Sequence, residues 1–150
     1  DKARRTGVSA QVIANCKREI DSLNQKRNDL IEKMDAWLVQ RIEPFLPENA
    51  PAKYNTETIG SALDRMSILS LKIYHMQEQT QREDVDEEHI ARCREKLATL
   101  WEQHKDLEQS ILELLDEYAQ GKKRPKVYFQ FKMYNDPGLN PEIYGRKDEN

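Results

Sequence analysis

Apolar side chains recur along three long stretches of the chain at alternating steps of three and four residues, which places them on one face of an α-helix. The first stretch follows Ser9, a residue type that caps helices, and stops before Pro44, which disfavours helical geometry in the preceding residue. Arg27 fills the one gap in a series whose apolar members are Ile13, Cys16, Ile20, Leu23, Leu30, Met34 and Trp37. This heptad repeat predicts a helix over residues 9–43.

The second stretch predicts a helix over residues 57–80 and begins at cap-type residues near Thr58. Its regular apolar positions are Ile59, Leu63, Met66, Leu69, Ile73 and Met76. Further apolar residues at Ala62, Ile68 and Leu71 extend the apolar surface around most of the helix. Such a helix lies inside a bundle or at a subunit interface. The sequence therefore predicts a homo-oligomer, most simply a dimer.

The third stretch predicts a helix over residues 86–120. Asp86 is a suitable N-cap, flanked by Val85 and Ile90 at the spacing of a hydrophobic staple. Its seam consists of Ile90, Cys93, Leu97, Leu100, His104, Leu107, Ile111, Leu114 and Tyr118. Gly121 is the expected stop.

The first and third helices match at an offset of 77 residues. Both caps, both cysteines and several apolar positions coincide, and Arg27 is equivalent to His104. Two interpretations remain open: any two heptad helices share such a pattern by chance, or one helix is a duplicate of the other.

After the third helix the pattern changes from a helical period to alternation. Val127, Phe129 and Phe131 recur at every second position, which is typical of an extended segment. The sequence thus predicts a single all-α domain over residues 1–150, built from three long antiparallel helices and an extended aromatic tail over residues 126–144. Because the chain starts at Asp1 and not at a methionine, we expect a further N-terminal segment to precede it.

Composition narrows the classes of protein to consider. The 150 residues include 24 Lys and Arg against 27 Asp and Glu, a formal net charge of −3, which argues against a nucleic-acid partner. The longest run free of these charged residues is Thr6–Cys16, whereas a membrane span needs about 20 apolar residues, so no membrane insertion is predicted. Two cysteines are compatible with a reducing compartment, and we expect a cytoplasmic protein.

The strongest candidate for chemistry is a polar face on the second helix. Its residues fall at helical steps and are Glu57, Asp64, Ser67, Leu71, His75 and Glu78. Arg65 and Lys72 lie on an adjoining stripe. Carboxylates beside cations in a partly buried position bind a polar or phosphorylated ligand, or else form structural salt bridges to neighbouring helices. The sequence leaves both interpretations open.

Metal-binding patterns are weak. His89 and Cys93 are four residues apart, but two ligands do not make a metal site, so no metal is predicted. Helical nucleotide pyrophosphohydrolases bind magnesium through paired Glu-x-x-Glu and Glu-x-x-Asp motifs. Here the second motif occurs at Glu32–Asp35 and Glu113–Asp116, and the first is absent.

Two segments, NTETIGSALDRMSILSLKIYHM and KVYFQFKMYNDPGLNP, resemble the characteristic segments of an uncharacterised bacterial family, a domain of unknown function. The resemblance also includes DVDEEHIARC and NQKRNDLIEKM. Members are small helical proteins, often encoded beside glycosyltransferases in lipopolysaccharide or other surface-polysaccharide loci. On the second helix the resemblance implies Thr56, Glu57, Asp64, Arg65, Lys72, Tyr74 and His75 as functional positions. In the tail it implies Tyr128, Gln130, Lys132, Tyr134, Asn135 and Asp136.

Three functional hypotheses follow. The first is an accessory protein of surface-polysaccharide synthesis that binds a phosphorylated sugar, a sugar nucleotide or a glycosyltransferase. Its candidate ligand-binding residues are Glu57, Asp64, Arg65, Lys72, His75, Tyr128, Lys132, Tyr134 and Asn135. The second is an enzyme of the helical pyrophosphohydrolase kind, and the third is a structural oligomeric adaptor. Whether the protein is an enzyme, and with which cofactor, stays open at this point.

Overall fold

The computed structural model describes residues 6–131 and 138–139, and within these ranges every regular element is helical. Helix α1 covers Ala10–Ile42, α2 covers Ile59–Thr80 and α3 covers Glu87–Ala119, with a short 3-10 turn at Glu43–Phe45. The all-α fold class predicted from the heptad pattern is confirmed. None of these helices combines the length and the apolar character needed to cross a membrane.

Each long helix begins at a side chain that caps its first turn. The hydroxyl of Ser9 accepts from the amide of Val12, and the carboxylate of Asp86 accepts from the amide of His89 at 2.6 Å. On α2 the cap is Thr58. Such caps satisfy amides that have no partner inside the helix, which is why these residues start helices.

Helix α3 ends in a Schellman motif around Gly121. The amide of Lys122 donates to the carbonyl of Glu117 at 2.8 Å, and that of Gly121 donates to Tyr118 at 3.0 Å. Gly121 has a φ of 66°, which glycine adopts without the penalty that a Cβ would bring. After this turn the chain runs beside the C-terminal end of α1 and the linker that follows it.

Helices α2 and α3 form an antiparallel hairpin that holds most of the core. Residues late in α2, such as Met76, lie beside Leu100, whereas the earlier Leu69 lies beside Leu107. The core cluster comprises Ile59, Ala62, Leu69, Ile73, Leu107, Ile111, Leu114 and Tyr118. The α3 seam predicted from the heptad repeat therefore supplies half of these core residues.

Helix α1 packs on the hairpin differently from what its heptad repeat indicates. It contributes Leu38 and Ile42, near its C-terminus, to the edge of the core, and it buries Asp35. The predicted seam remains partly or largely exposed. The exposed fraction of the side chain exceeds one half at Leu23, Leu30 and Trp37. The physical reason is that α1 meets α2 through a stripe about one position further along the helix, which contains Ile31, Asp35 and Leu38.

The segment after α3 lies against the linker between α1 and α2. The amide of Arg124 donates to the carbonyl of Lys53 at 2.8 Å, and the amide of Gln130 donates to the Glu32 carboxylate at 2.8 Å. The described part of the tail forms no β-ladder. These two amides find their partners on the linker and on α1.

Candidate functional site

A long groove runs between α2 and α3 on the hairpin surface; we call it the α2–α3 groove. It has two adjoining parts that share Ile68, Lys72 and Gln103. The first part has a volume of about 380 Å³ and is also lined by Arg65, Leu69, Asp106, Leu107 and Ser110. The second part has a volume of about 590 Å³ and is also lined by Leu71, His75, Met76, Gln79, Lys96, Thr99 and Leu100. Both volumes fall in the range of small-molecule sites.

Helical spacing explains why these residues line one groove. On α2 the positions 65, 68, 72, 75 and 79 alternate by three and four residues, and on α3 the positions 96, 99, 103, 106 and 110 do the same. Each set therefore lies on one face of its helix. Because the two helices are antiparallel, the two faces meet along the whole groove.

Cations outnumber carboxylates along the groove. Arg65, Lys72 and Lys96 line it together with a single acid, Asp106. The Lys72 ammonium makes no ion pair with any residue in the described ranges. This positively charged groove lies on a protein whose formal net charge is −3, and local charge of this kind attracts anions to one place on the surface.

The structure separates the sequence-predicted residues of α2 into two groups. Arg65, Lys72 and His75 line the α2–α3 groove. Glu57 lies beside it and pairs with Arg65, at 2.6 Å between Oε2 and Nη2. Asp64 does not line the groove, and its carboxylate binds the guanidinium of Arg27 on α1.

The Arg27–Asp64 pair joins α1 to α2. Arg27 donates from Nε and Nη2 to the two carboxylate oxygens of Asp64. These hydrogen bonds raise the pKa of Arg27 above its usual value. A bidentate contact of this type fixes the relative orientation of two helices, so Asp64 has the structural role that the sequence left as one alternative.

His75 lines the apolar part of the groove. Its Nδ1 lies 2.7 Å from the Glu78 carboxylate, and its ring makes an edge contact with Tyr74. The pair with Glu78 orients the ring at the groove wall.

The tail residues predicted for the site do not join the α2–α3 groove where the structure describes them. The ring of Tyr128 lies 5.4 Å from the ammonium of Lys126, which also lies 4.9 Å from the ring of Tyr54. These contacts are at the linker, away from the residues that line the groove. Lys132, Tyr134 and Asn135 lie outside the described residues, as does most of the predicted tail beyond them.

Sequence reasoning missed the α3 side of the groove. Lys96, Thr99, Gln103, Asp106 and Ser110 all lie beside the apolar seam that defined this helix. The signal was present, because their spacing of three and four is as regular as that of the seam. It becomes informative only once α3 is known to lie antiparallel to α2.

A second polar cluster lies at the start of α2. Asp35 is only 4% exposed, and its Oδ1 accepts from the amide of Gly60 at 2.7 Å. Tyr118, 3% exposed, lies nearby. Burial raises the pKa of Tyr118 to about 12, and the charges of Asp35 and Glu117 contribute in the same direction. The cluster has no open cavity of ligand size and acts as a structural junction between the helices.

No three His, Cys, Asp or Glu side chains in the described part of the chain are close enough to hold a metal ion. Of the Glu32–Asp35 pair, Glu32 accepts from the tail amide of Gln130 and Asp35 from Gly60. His89 Nε2 lies 3.4 Å from the Cys93 sulfur, a contact between two residues of one helix. The pyrophosphohydrolase hypothesis needs at least three converging carboxylates, and the described residues give it no support.

A family model described as a protein of unknown function (DUF4254) matches residues 1–127. No curated protein and no solved structure matches the chain.

Proposed function

The chain therefore belongs to the DUF4254 family, and on this premise we propose that it is an accessory protein of bacterial surface-polysaccharide synthesis. In this proposal it binds a phosphorylated sugar or a sugar nucleotide in the α2–α3 groove. The resemblance of its helical and tail segments to proteins encoded in such loci supports the pathway. The charge and shape of the groove support the class of ligand.

The observation that carries the proposal is the position of Lys72. Its ammonium has no ion-pair partner in the described chain, and it lies where the two parts of the groove join. A phosphate placed there would contact Lys72 and lie near Arg65 and Lys96. Lysine commonly binds phosphate as a point charge of this kind.

The two parts of the groove suit the two ends of such a ligand. The smaller part offers Gln103, Asp106 and Ser110, which can hydrogen-bond sugar hydroxyls. The lining surface of the larger part is mostly apolar and includes Leu71, Met76 and Leu100, which can cover a nucleobase or the apolar face of a sugar ring.

From the resemblance we infer that a glycosyltransferase using the bound compound is the protein partner. The proposal also places the chain in the cytoplasm, in keeping with two free thiols, Cys16 and Cys93, which reducing compartments maintain.

Calorimetric titration tests the proposal, with UDP-glucose and inorganic phosphate as probes. Lys72→Ala is expected to weaken binding of UDP-glucose roughly 10- to 150-fold, since a hydrogen bond to a charged group contributes about 1.5–3 kcal/mol. Lys105→Ala is the matched control, because Lys105 is an exposed lysine of α3 that does not line the groove. It is expected to bind as the wild type does.

Binding of phosphate alone, with no gain from the sugar and base, would restrict the site to a simple anion and overturn the sugar-nucleotide assignment. Binding that Lys72→Ala and Lys105→Ala weaken equally would reflect general charge attraction, and it would remove the groove from the proposal.

A further inference from the structure

One face of α1 carries a regular row of partly or largely exposed side chains, apolar except for Arg27, which we call the α1 stripe. Its members are Ile13, Cys16, Ile20, Leu23, Arg27, Leu30, Met34 and Trp37. The steps between them alternate by three and four residues from Ile13 to Trp37 of a 33-residue helix. A sustained average period of 3.5 residues is the signature of a helix that supercoils with another helix.

The equivalent row on α3 shows how such a stripe is normally covered. Positions 77 residues apart have the same place in the heptad, yet Leu107 is 8% exposed and its α1 counterpart Leu30 is 58% exposed. Helix α3 covers its row with α2. Helix α1 meets α2 through a neighbouring stripe that contains Ile31, Asp35 and Leu38. Its own heptad row therefore remains open except at Arg27, which binds Asp64 of α2.

The N-terminal half of α1 has little support within the chain. Every residue from Ala10 to Lys26 is at least partly exposed, and the first cross-helix ion pair occurs at Arg27. Most of the stability of a helix in a protein comes from packing of its apolar face against other elements. A partner that covered the α1 stripe would supply this packing to the N-terminal half of α1.

We propose that the occupant of the α1 stripe is a second copy of this chain, whose α1 lies antiparallel to the first. In the register we infer, Ile20 and Leu23 of one copy pack against Leu23 and Ile20 of the other. Ile13 then packs against Leu30 of the second copy. The interface is centred on the part of α1 that its own hairpin leaves uncovered.

Arg27 determines the orientation. In a parallel pair with matched heptads, Arg27 would oppose Arg27 of the second copy in the same core layer, which brings two like charges together in an apolar seam. In the antiparallel register it lies opposite the small side chain of Cys16. Its guanidinium remains free to bind Asp64 of its own chain, as the structure shows.

The charges beside the stripe fit the same orientation. Glu19 and Lys26 each precede a stripe residue and flank the seam, and neither has an ion-pair partner in the described ranges. In the antiparallel register Glu19 faces Lys26 of the second copy, and symmetry repeats the pair. A parallel alignment would place Glu19 beside Asn24 instead, with no opposite charge.

Sedimentation equilibrium over a range of protein concentrations measures the association. The wild type is expected to be a reversible dimer, and Leu23→Glu a monomer whose α2–α3 hairpin stays folded. Leu112→Glu is the matched control, because Leu112 of α3 has the same 56% exposure as Leu23 but lies outside the stripe. A wild-type chain that stays monomeric at all concentrations, or a dimer that Leu112→Glu disrupts as strongly as Leu23→Glu, overturns the proposal.

A charge exchange tests the orientation independently of apolar packing. Glu19→Lys and Lys26→Glu are each expected to weaken the dimer severalfold, because each creates two like-charge contacts in the antiparallel register. The double variant with both changes restores opposite charges and is expected to dimerise like the wild type. Additive weakening in the double variant would rule out the antiparallel register.

Discussion

Gly60 shows how a single missing side chain fixes the approach of two helices. A Cβ at this position would lie 2.7 Å from the carbonyl oxygen of Ile31 and 2.8 Å from Oδ1 of Asp35. The bare backbone instead donates its amide to Asp35, which places a carboxylate at the positive end of α2. The first turn of α2 can therefore reach the surface of α1 only with glycine at this position.

Gly60→Ala is expected to destabilise the protein, although alanine has the higher helix propensity by about 1 kcal/mol. The new methyl would displace the backbone of α1 or break the hydrogen bond from Gly60 to buried Asp35, and an unsatisfied buried polar group costs about 1–3 kcal/mol. Urea denaturation measures the change, with Ser70→Ala on the exposed side of α2 as control. A stabilised Gly60→Ala variant would show that the close approach is not retained in solution.

Tyr118 provides a pH-dependent contribution to stability. Burial raises its folded-state pKa to about 12, whereas the unfolded value is about 10. Below pH 10 both states hold the proton; between pH 10 and 12 the unfolded state loses it first, so stability falls as pH rises. The loss is roughly 2–3 kcal/mol across this window.

Tyr118→Phe separates this contribution from the titration of lysines over the same range. The variant is expected to lose less stability between pH 10 and 12 than the wild type does, as measured by denaturant unfolding at each pH. Parallel pH profiles for the two proteins would mean that the Tyr118 hydroxyl reaches water in the folded state.

At the scale of the elements, the helix caps and the helical spacing of apolar residues could be predicted, because both depend on residues close together in the sequence. Ser9, Thr58 and Asp86 cap the three helices, and Gly121 ends the last one. The face on which α1 packs was not predictable from its own pattern. Its apolar surface is wide enough for two stripes, and contacts such as the hydrogen bond from Gly60 to Asp35, between residues 25 positions apart, select which one meets α2.

The residues of the candidate site could likewise be predicted from the sequence only in part. Arg65, Lys72 and His75 could be identified from the polar positions of α2, and they do share one groove. Asp64 has the same spacing but faces α1. Local periodicity gives the side of a helix, whereas the neighbour on that side depends on how the chain folds back.

Leu30 and Leu107 occupy equivalent heptad positions in helices of equal length, which makes a direct comparison possible. Leu107→Ala is expected to cost about 2–5 kcal/mol, since it opens a cavity in the core. Leu30→Ala is expected to cost much less in the monomer, because the side chain is largely exposed. Denaturant unfolding of both variants at low protein concentration measures the difference. Equal losses would mean that α1 covers its stripe within one chain.

For the whole molecule, the helices divide into a stable hairpin and a less supported arm. Helices α2 and α3 bury each other's apolar faces, whereas the first half of α1 is at least partly exposed at every residue. Local stability follows the density of buried contacts. The arm is therefore expected to open more readily than the hairpin unless another surface covers it.

Amide hydrogen exchange at several protein concentrations tests this division together with the second-copy proposal. Protection of residues 10–26 is expected to rise with concentration, because association covers that half of α1 and binding stabilises only the folded arm. Residues 87–103, at the equivalent heptad positions of α3, form the internal control. Their protection is expected to be the same at every protein concentration. Leu23→Glu should remove the concentration dependence while leaving α3 unchanged. Strong protection of residues 10–26 in dilute wild-type protein would show that the arm is stable within one chain, whereas concentration-dependent protection places the missing contacts of α1 between two chains.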